Sequence, residues 1–296
     1  MDCEAKAEGF QYIQCIMIKR SCHIEPKAES SGHTLKFGIA SRLLWSYPLH
    51  DVIAIAERLH FDGVEVWAEH HIRDRAKKSR LAFGKSSLIF TVHAFSFDVN
   101  ITSMNRRIRR ESMRQMLDSL NYAEEIGARC MVVHPGRTSS SKDPPEEYWA
   151  MQIESLSEIV LRAKGIGVDV NMEIMEPRRK EMVTTPETAN NILKAISMEN
   201  FGITLDLSHA QLTERSLEFI REVKKISHVH FSDTKEGTPH YLLGEGDLDV
   251  LRILKELRMR YDGLVIIEGW DRHDELGMVK KTADIVKEIK LKLQIG

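Results

Sequence analysis

From residue 36 onward, short runs of β-branched or apolar residues alternate with amphipathic stretches of roughly 10 to 20 residues, the rhythm of βα units around a parallel sheet. Strands are predicted at 37–41, 63–68, 89–94, 130–134, 169–174, 202–207, 228–232 and 264–269. Helices are predicted over 49–59, 106–126, 146–164, 186–196, 214–223, 248–260 and 275–293, with a fainter one near 72–83. The third of these carries Ile153, Leu156, Ile159 and Val160 on one face. Gly127, Gly165 and Gly263 stand at helix ends, where a left-handed cap suits a residue without Cβ. Eight repeats with short connections favour an α/β fold that is a single closed (β/α)8 TIM barrel over a doubly wound open sheet. The expected organisation is an N-terminal extension over 1–34 and a barrel over 35–296, with no linker or low-complexity segment to divide it.

Composition narrows the partners. A chain of 296 residues has the usual size of one such barrel, and no apolar run approaches the ~18 residues needed to span a membrane. A net charge of −2 exerts no overall pull on polyanions, so nucleic acid is disfavoured as a partner, while a homo-oligomer stays open. Cys3, Cys15 and Cys22 lie in the extension and Cys130 in an apolar run, without the spacing of a zinc ribbon or disulfide framework. A reducing, cytoplasmic compartment is expected. The extension begins with acidic residues, and its short apolar run at 12–18 precedes Lys19 and Arg20, the reverse of a secretion signal. Either Met17 is the true start or the extension packs on the bottom of the barrel.

Chemistry is concentrated where strands end. In a barrel of this kind the C-terminal strand ends share one mouth, so a polar residue closing an apolar strand is informative there. Strand three closes on His93, strand four on His134, strand five on Glu173, strand six on Asp206 with His209 just beyond, strand seven on His230, and strand eight on Glu268. One histidine at a strand end is ordinarily a hydrogen-bonded polar group; six consecutive strands ending this way are not accounted for so. Carboxylates and imidazoles converging from several strands form a donor set suited to zinc, manganese, cobalt, iron or magnesium, and a divalent cation removes the desolvation cost of burying Glu173, Asp206 and Glu268 together. Glu173, Asp206, His230 and Glu268 are the expected metal ligands. His93 and His134 either hold a second metal or touch substrate. His228 shares the parity of His230 and should point inward one layer deeper, hydrogen-bonded and not ligating. Glu65 is expected to serve the polar network of the mouth, and Glu176 to lie outside the ligand set. Arg106, Arg107, Arg109, Arg110 and Arg114 read as a solvated helix face.

These motifs resemble the xylose isomerase-like TIM-barrel superfamily, which contains sugar isomerases and epimerases, inosose dehydratases and endonuclease IV. The resemblance spans about residues 36 to 292. It is carried by Phe61-Asp62-Gly63-Val64-Glu65-Val66, His134-Pro135-Gly136, the Glu173 strand, Leu205-Asp206-Leu207-Ser208-His209-Ala210, His228-Val229-His230-Phe231-Ser232-Asp233, Leu243-Gly244-Glu245-Gly246-Asp247 and Ile267-Glu268-Gly269. The likeness implies that Glu173, Asp206, His230 and Glu268 match the metal site of ketose epimerases, with the two glutamates moving the proton and His209 facing substrate. It also implies that His93, His134, His209 and His240 match further zinc ligands of endonuclease IV, although Thr238 replaces an aspartate of that set. The implied activity is metal-dependent isomerisation or epimerisation of a sugar or sugar phosphate through an enediolate, with His209, Arg178 and His240 on the substrate side. Lys235 and Glu236 stand where epimerases of the superfamily carry a substrate arginine. Inosose-type dehydration and abasic-DNA hydrolysis are the alternatives.

Overall fold

A computed structural model describes residues 34–74, 77–269 and 273–294, so Met17, the three early cysteines and nearly all of the expected extension lie outside the described residues. The strands are β1 (Lys36–Ala40), β2 (Gly63–Trp67), β3 (Ile89–His93), β4 (Cys130–Val133), β5 (Asp169–Glu173), β6 (Phe201–Asp206), β7 (Ile226–Phe231) and, after a hairpin of β8 (Asp233–Lys235) and β9 (Thr238–Tyr241), β10 (Leu264–Ile267). All but the hairpin run parallel and close into a barrel in the order β1, β10, β7, β6, β5, β4, β3, β2.

Period-two alternation sorts the barrel side chains. Phe37, Ile39, Val64, Val66, Val170, Met172, Val229 and Phe231 are buried in the hydrophobic core. Their alternates are Glu65, Thr91, His93, Asn171, Glu173, Thr204, Asp206, His228 and His230, which are equally buried but polar. The register pairs Glu65 with Thr91, Thr204 with His228, and Asp206 with His230, so these side chains fall into layers stacked toward the mouth. The interior of this barrel is therefore a polar column inside an apolar sleeve.

The helices around it are α1 (Leu49–Arg58), α2 (Ala68–Arg73), α3 (Lys77–Phe83), α4 (Arg106–Glu125), α5 (Trp149–Gly165), α6 (Pro186–Ile196), α7 (Leu207–Gln211), α8 (Ser216–Glu222), α9 (Val250–Leu257) and α10 (Glu275–Lys292). The faint helix near 72–83 is in fact two short ones, α2 starting directly from β2, and an unforeseen helix, α7, starts directly from β6. Of the expected arginine face, Arg106, Arg107, Arg110 and Arg114 are exposed on α4, Arg114 pairing with Glu111 and Asp118, whereas Arg109 is half-buried and donates to the Ser103 carbonyl. Gly127 takes the left-handed cap at φ 67°, but after α5 the cap is Gly167 at φ 72° and not Gly165, because the helix runs through Gly165 before it ends. Gly263 adopts no left-handed conformation. No helix among the described residues is long and apolar enough to cross a membrane.

Candidate functional site

At the C-terminal rim, β5 delivers Glu173, β6 Asp206, β7 His230, and the position just past β10 Glu268. Their ligand atoms lie within 4.8 Å of one another. His230 Nδ1 stands 3.5 Å from Glu173 Oε1 and 3.5 Å from Glu268 Oε1. Local sequence explains the aim of Asp206. It ends its strand and caps α7, with Oδ1 accepting from the Ser208 and His209 backbone N–H groups and the Ser208 hydroxyl at 2.7, 3.0 and 2.7 Å, which leaves Oδ2 for the centre.

Asp206 Oδ2, His230 Nδ1 and Glu268 Oε1 are buried without a hydrogen-bond partner among the described residues. Each such orphan costs about 1–3 kcal/mol, so three aimed into one space call for a shared partner. Three carboxylates and one imidazole are the donor set that a divalent cation of the zinc, manganese, cobalt, iron or magnesium kind accepts. The residues present fit such a group.

The remaining candidates surround this centre. His93 Nδ1 donates to the Ala94 carbonyl at 2.8 Å, and its ring stacks on Trp67 at 4.2 Å, which turns Nε2 toward Glu173 Oε2, 3.6 Å away. His134 Nε2 approaches the same oxygen to 3.1 Å. His209 Nδ1 donates to the Ile174 carbonyl at 3.1 Å, with Nε2 3.6 Å from Asp206 Oδ2. His240, on β9, holds φ at 68°, a strained value for a residue with Cβ, and its ring meets that of His209 at 5.4 Å between centroids. His93, His134 and Glu173 form a second group with metal-ligand spacing, and Asp206, His209 and His240 a third.

A cavity of about 250 Å³ opens over these groups, with His93, His134, Glu173, His209, His240 and Glu268 in its wall. Arg42, Trp67 and Met175 also line it without having been expected there, although Trp67 shares the parity of Glu65 and closes its strand. Arg42 follows β1 and lies about 5 Å over the rings of Trp45, Trp67 and Phe97. Glu176 also lines this cavity. Arg178 does not: its side chain is 70% exposed, its Nη2 sits 2.8 Å from Glu176 Oε2, and it borders a neighbouring open cavity of about 600 Å³. That cavity is also lined by His240, so Arg178 stands at the rim of the site, apart from the cavity over the four acids and imidazoles.

Burial and neighbouring charge set the protonation states. Burial resists ionisation of Glu173, but the facing His230 charge and the close approach of the His134, His230 and His93 rings hold its carboxyl well below the ordinary range. Burial lifts Glu268 to about 7 despite His230, with the Glu173, Asp206 and Glu65 carboxylates adding to the rise. Burial opposes charging of His230, yet Glu268, Glu65 and Glu173 raise it well above the usual imidazole value. Burial likewise opposes charging of His93, which its contact with Glu173 lifts to about 9. Removal from bulk water pushes His134 and His240 down.

In the cation-free protein His230 therefore holds a proton near pH 7, and Glu268 holds one about half the time. Ligation requires both to be lost, so zinc binding at pH 7 should release more than one proton, and apparent affinity should fall as pH drops below about 7. Calorimetry in buffers of different ionisation enthalpy reads this directly; a binding heat independent of buffer would contradict it.

Asp233 anchors the segment that carries His240. Its buried carboxylate accepts from the backbone N–H groups of Thr234, Gly244 and Leu248 at 2.8, 2.8 and 3.1 Å. A Cβ on Gly246 would collide with that carboxylate and with the Thr234 carbonyl, which is why the Leu243-Gly244-Glu245-Gly246-Asp247 run needs glycine there. Asp233→Ala should lower stability by about 3 kcal/mol, roughly 1 per orphaned donor, as a shift of the urea midpoint.

A sequence profile of the xylose isomerase-like TIM barrel matches residues 53–290. A functionally uncharacterised protein of Methanocaldococcus jannaschii is 29% identical over 264 residues, 86% of this chain and 89% of its own. The fructoselysine 3-epimerase of Escherichia coli O157:H7 is 22% identical over 241 residues, 75% of this chain and 85% of its own. The crystal structure of a D-tagatose 3-epimerase-like protein superposes with a TM-score of 0.76 at 27% identity, covering 88% of this chain and 98% of that one.

Proposed function

The chain belongs to the xylose isomerase-like TIM-barrel family, and from that premise we propose that it is a sugar epimerase or isomerase that moves a proton beside a ketose carbonyl through an enediolate. The observation that carries this reading is the pair of carboxylates, Glu173 and Glu268, flanking His230 Nδ1 at 3.5 Å each beneath a cavity of about 250 Å³. Kinship with the fructoselysine and D-tagatose-type 3-epimerases supports C3 epimerisation over aldose–ketose exchange.

In this scheme Glu173 and Glu268 stand on either side of the reacting carbon, one removing the proton and the other returning one to the opposite face. Their environments push their proton affinities apart, as an acid and a base sharing one site require. A divalent cation held by Glu173, Asp206, His230 and Glu268 would supply the positive charge that stabilises the enediolate oxygens. His209, steadied by the Ile174 carbonyl, presents Nε2 to a substrate hydroxyl, and His93, His134 and His240 close the cavity around the remaining hydroxyls. Trp67 gives the sugar an apolar wall. A sugar epimerase inverts the carbon with hydrogen drawn from solvent, so incubation of the metal-loaded protein with ketoses in D2O should yield an epimer deuterated at the inverted centre. Unlabelled substrate recovered from every ketose and ketose phosphate would reject the reading.

The two further histidine groups favour a second reading, hydrolysis of a phosphodiester at abasic DNA. Thr238 in place of an acid, a net charge of −2 and a mouth of monosaccharide size weigh against it. Strand cleavage of an abasic duplex, in the absence of ketose turnover, would reverse the preference.

A further inference from the structure

Glu65 touches no substrate in the scheme above, yet its side chain is fully buried, at 0% exposure, one layer beneath the metal-ligating groups. Its Oε2 accepts from the Thr91 hydroxyl at 2.9 Å and from His228 Nε2 at 2.8 Å. His228 is held in turn by Cys130, whose Sγ lies 3.9 Å from Nδ1. With Oε2 pinned from two sides, Oε1 is directed at His230 Nε2, 2.9 Å away. The pair stands at contact distance with the ring N–H not aligned on the oxygen, and neither atom has a hydrogen-bond partner among the described residues, so each is the polar group placed to satisfy the other.

A neutral imidazole carries its proton on one nitrogen or the other. With the proton on Nε2, facing Glu65, Nδ1 offers a lone pair toward Glu173, Asp206 and Glu268; with the proton on Nδ1, an N–H would point into that space and no lone pair would remain there. A carboxylate behind a ligating histidine both selects the tautomer and fixes the ring plane, and changing such a partner typically weakens metal affinity by about 10- to 100-fold.

We propose that Glu65, pinned by Thr91 and His228, is a positioning residue that fixes His230 as the Nε2–H tautomer and so presents Nδ1 to the metal centre. This rests on the reading of Glu173, Asp206, His230 and Glu268 as ligands. A residue that merely balanced buried charge would affect folding and leave the bound state alone. Glu65→Gln has one acceptor oxygen where Glu65 has two, and no negative charge, so it cannot serve both histidines as they stand.

Zinc affinity by chelator competition, and the nitrogen shifts of the full-length protein labelled with 15N-histidine, test this. Wild type loaded with zinc should show His230 metallated through Nδ1 with a proton on Nε2. Glu65→Gln should bind zinc about 10- to 100-fold more weakly at an unfolding midpoint that reports a folded chain, and Thr91→Val, which releases only one hold on Oε2, should fall between the two. Unchanged zinc affinity in both variants, or coordination of His230 through Nε2, would overturn the role of Glu65. Should Glu65→Gln fail to fold, the wild-type tautomer and the Thr91→Val affinity still decide. Wild type that binds no divalent cation would sink the four-residue centre itself, an outcome distinct from equal binding by wild type and variant.

Discussion

On the proposed mechanism, Glu268→Gln should slow turnover by about 10³- to 10⁴-fold, at the upper end of what general acid–base groups contribute, because the substitution would remove a proton-transfer group and a ligand together. Its metal-free form should nonetheless resist unfolding better than wild type at alkaline pH. Burial and three neighbouring carboxylates raise Glu268 from an ordinary value of 4.5 to about 7. A carboxyl raised in the folded state stabilises the fold while it stays protonated, and that benefit is lost as pH climbs from its unfolded value through about 7. At full ionisation the difference amounts to ~3 kcal/mol from a shift of that size. The buried amide recovers it less its own desolvation cost, leaving a net gain of ~1–2 kcal/mol above about pH 8 that vanishes below about pH 5. Denaturant melts of chelator-treated protein across that range, paired with steady-state rates of the loaded enzyme, read both effects. A variant with wild-type turnover would remove Glu268 from the mechanism, and one with no alkaline gain would remove the crowded-carboxylate account of the site.

Two substitutions of Asp206 should separate metal binding from folding. Asp206→Asn keeps Oδ1 as acceptor for the Ser208 and His209 N–H groups that cap α7, but replaces the ligand oxygen with an amide. Its stability in the metal-free state should stay within about 1 kcal/mol of wild type, while zinc affinity drops by more than the ~100-fold seen when an outer partner is altered. Asp206→Ala should lose affinity to a similar extent and ~2 kcal/mol of stability as well, since the cap goes with the ligand. Equal stability in both variants would mean the cap contributes nothing. Tight zinc binding in either would mean that Asp206 Oδ2, orphaned and buried as it is, is not a ligand.

The strands were legible because each is a short apolar or alternating run, and from the third onward each is closed or directly followed by a polar residue. Ile89–His93 and Asp169–Glu173 end within one residue of where the pattern put them. The acids and imidazoles of the centre were legible for a related reason, as parity plus strand-end position fixes both the face and the height of a side chain in a barrel. His228 followed the same rule into the deeper layer. Sequence was less informative where the chain leaves the strands. The β8–β9 hairpin has a run of polar and turn residues with no alternation to announce it, and what holds it is Asp233 reaching Gly244 and Leu248, contacts between residues 11 and 15 apart. Arg178 is near Glu173 along the chain, but which cavity it borders is set by the loop after β5, whose direction no strand period describes.

What the amino-acid order could establish was therefore periodic and local: eight βα beats, an apolar sleeve, and a set of ionisable residues placed at strand ends by a two-residue repeat. Which of those ionisable groups meet, at what distance, and with which proton affinities was decided by closure of the cylinder, because only closure brings the last strand, β10, against β1 and so carries Glu65 of β2 across the interior to His228 and His230. Electrostatic interaction falls with distance and strengthens as water is excluded, and both quantities belong to the folded barrel. Glu173 and Glu268 are the same side chain in sequence; their opposite protonation tendencies come from what the barrel packs around each.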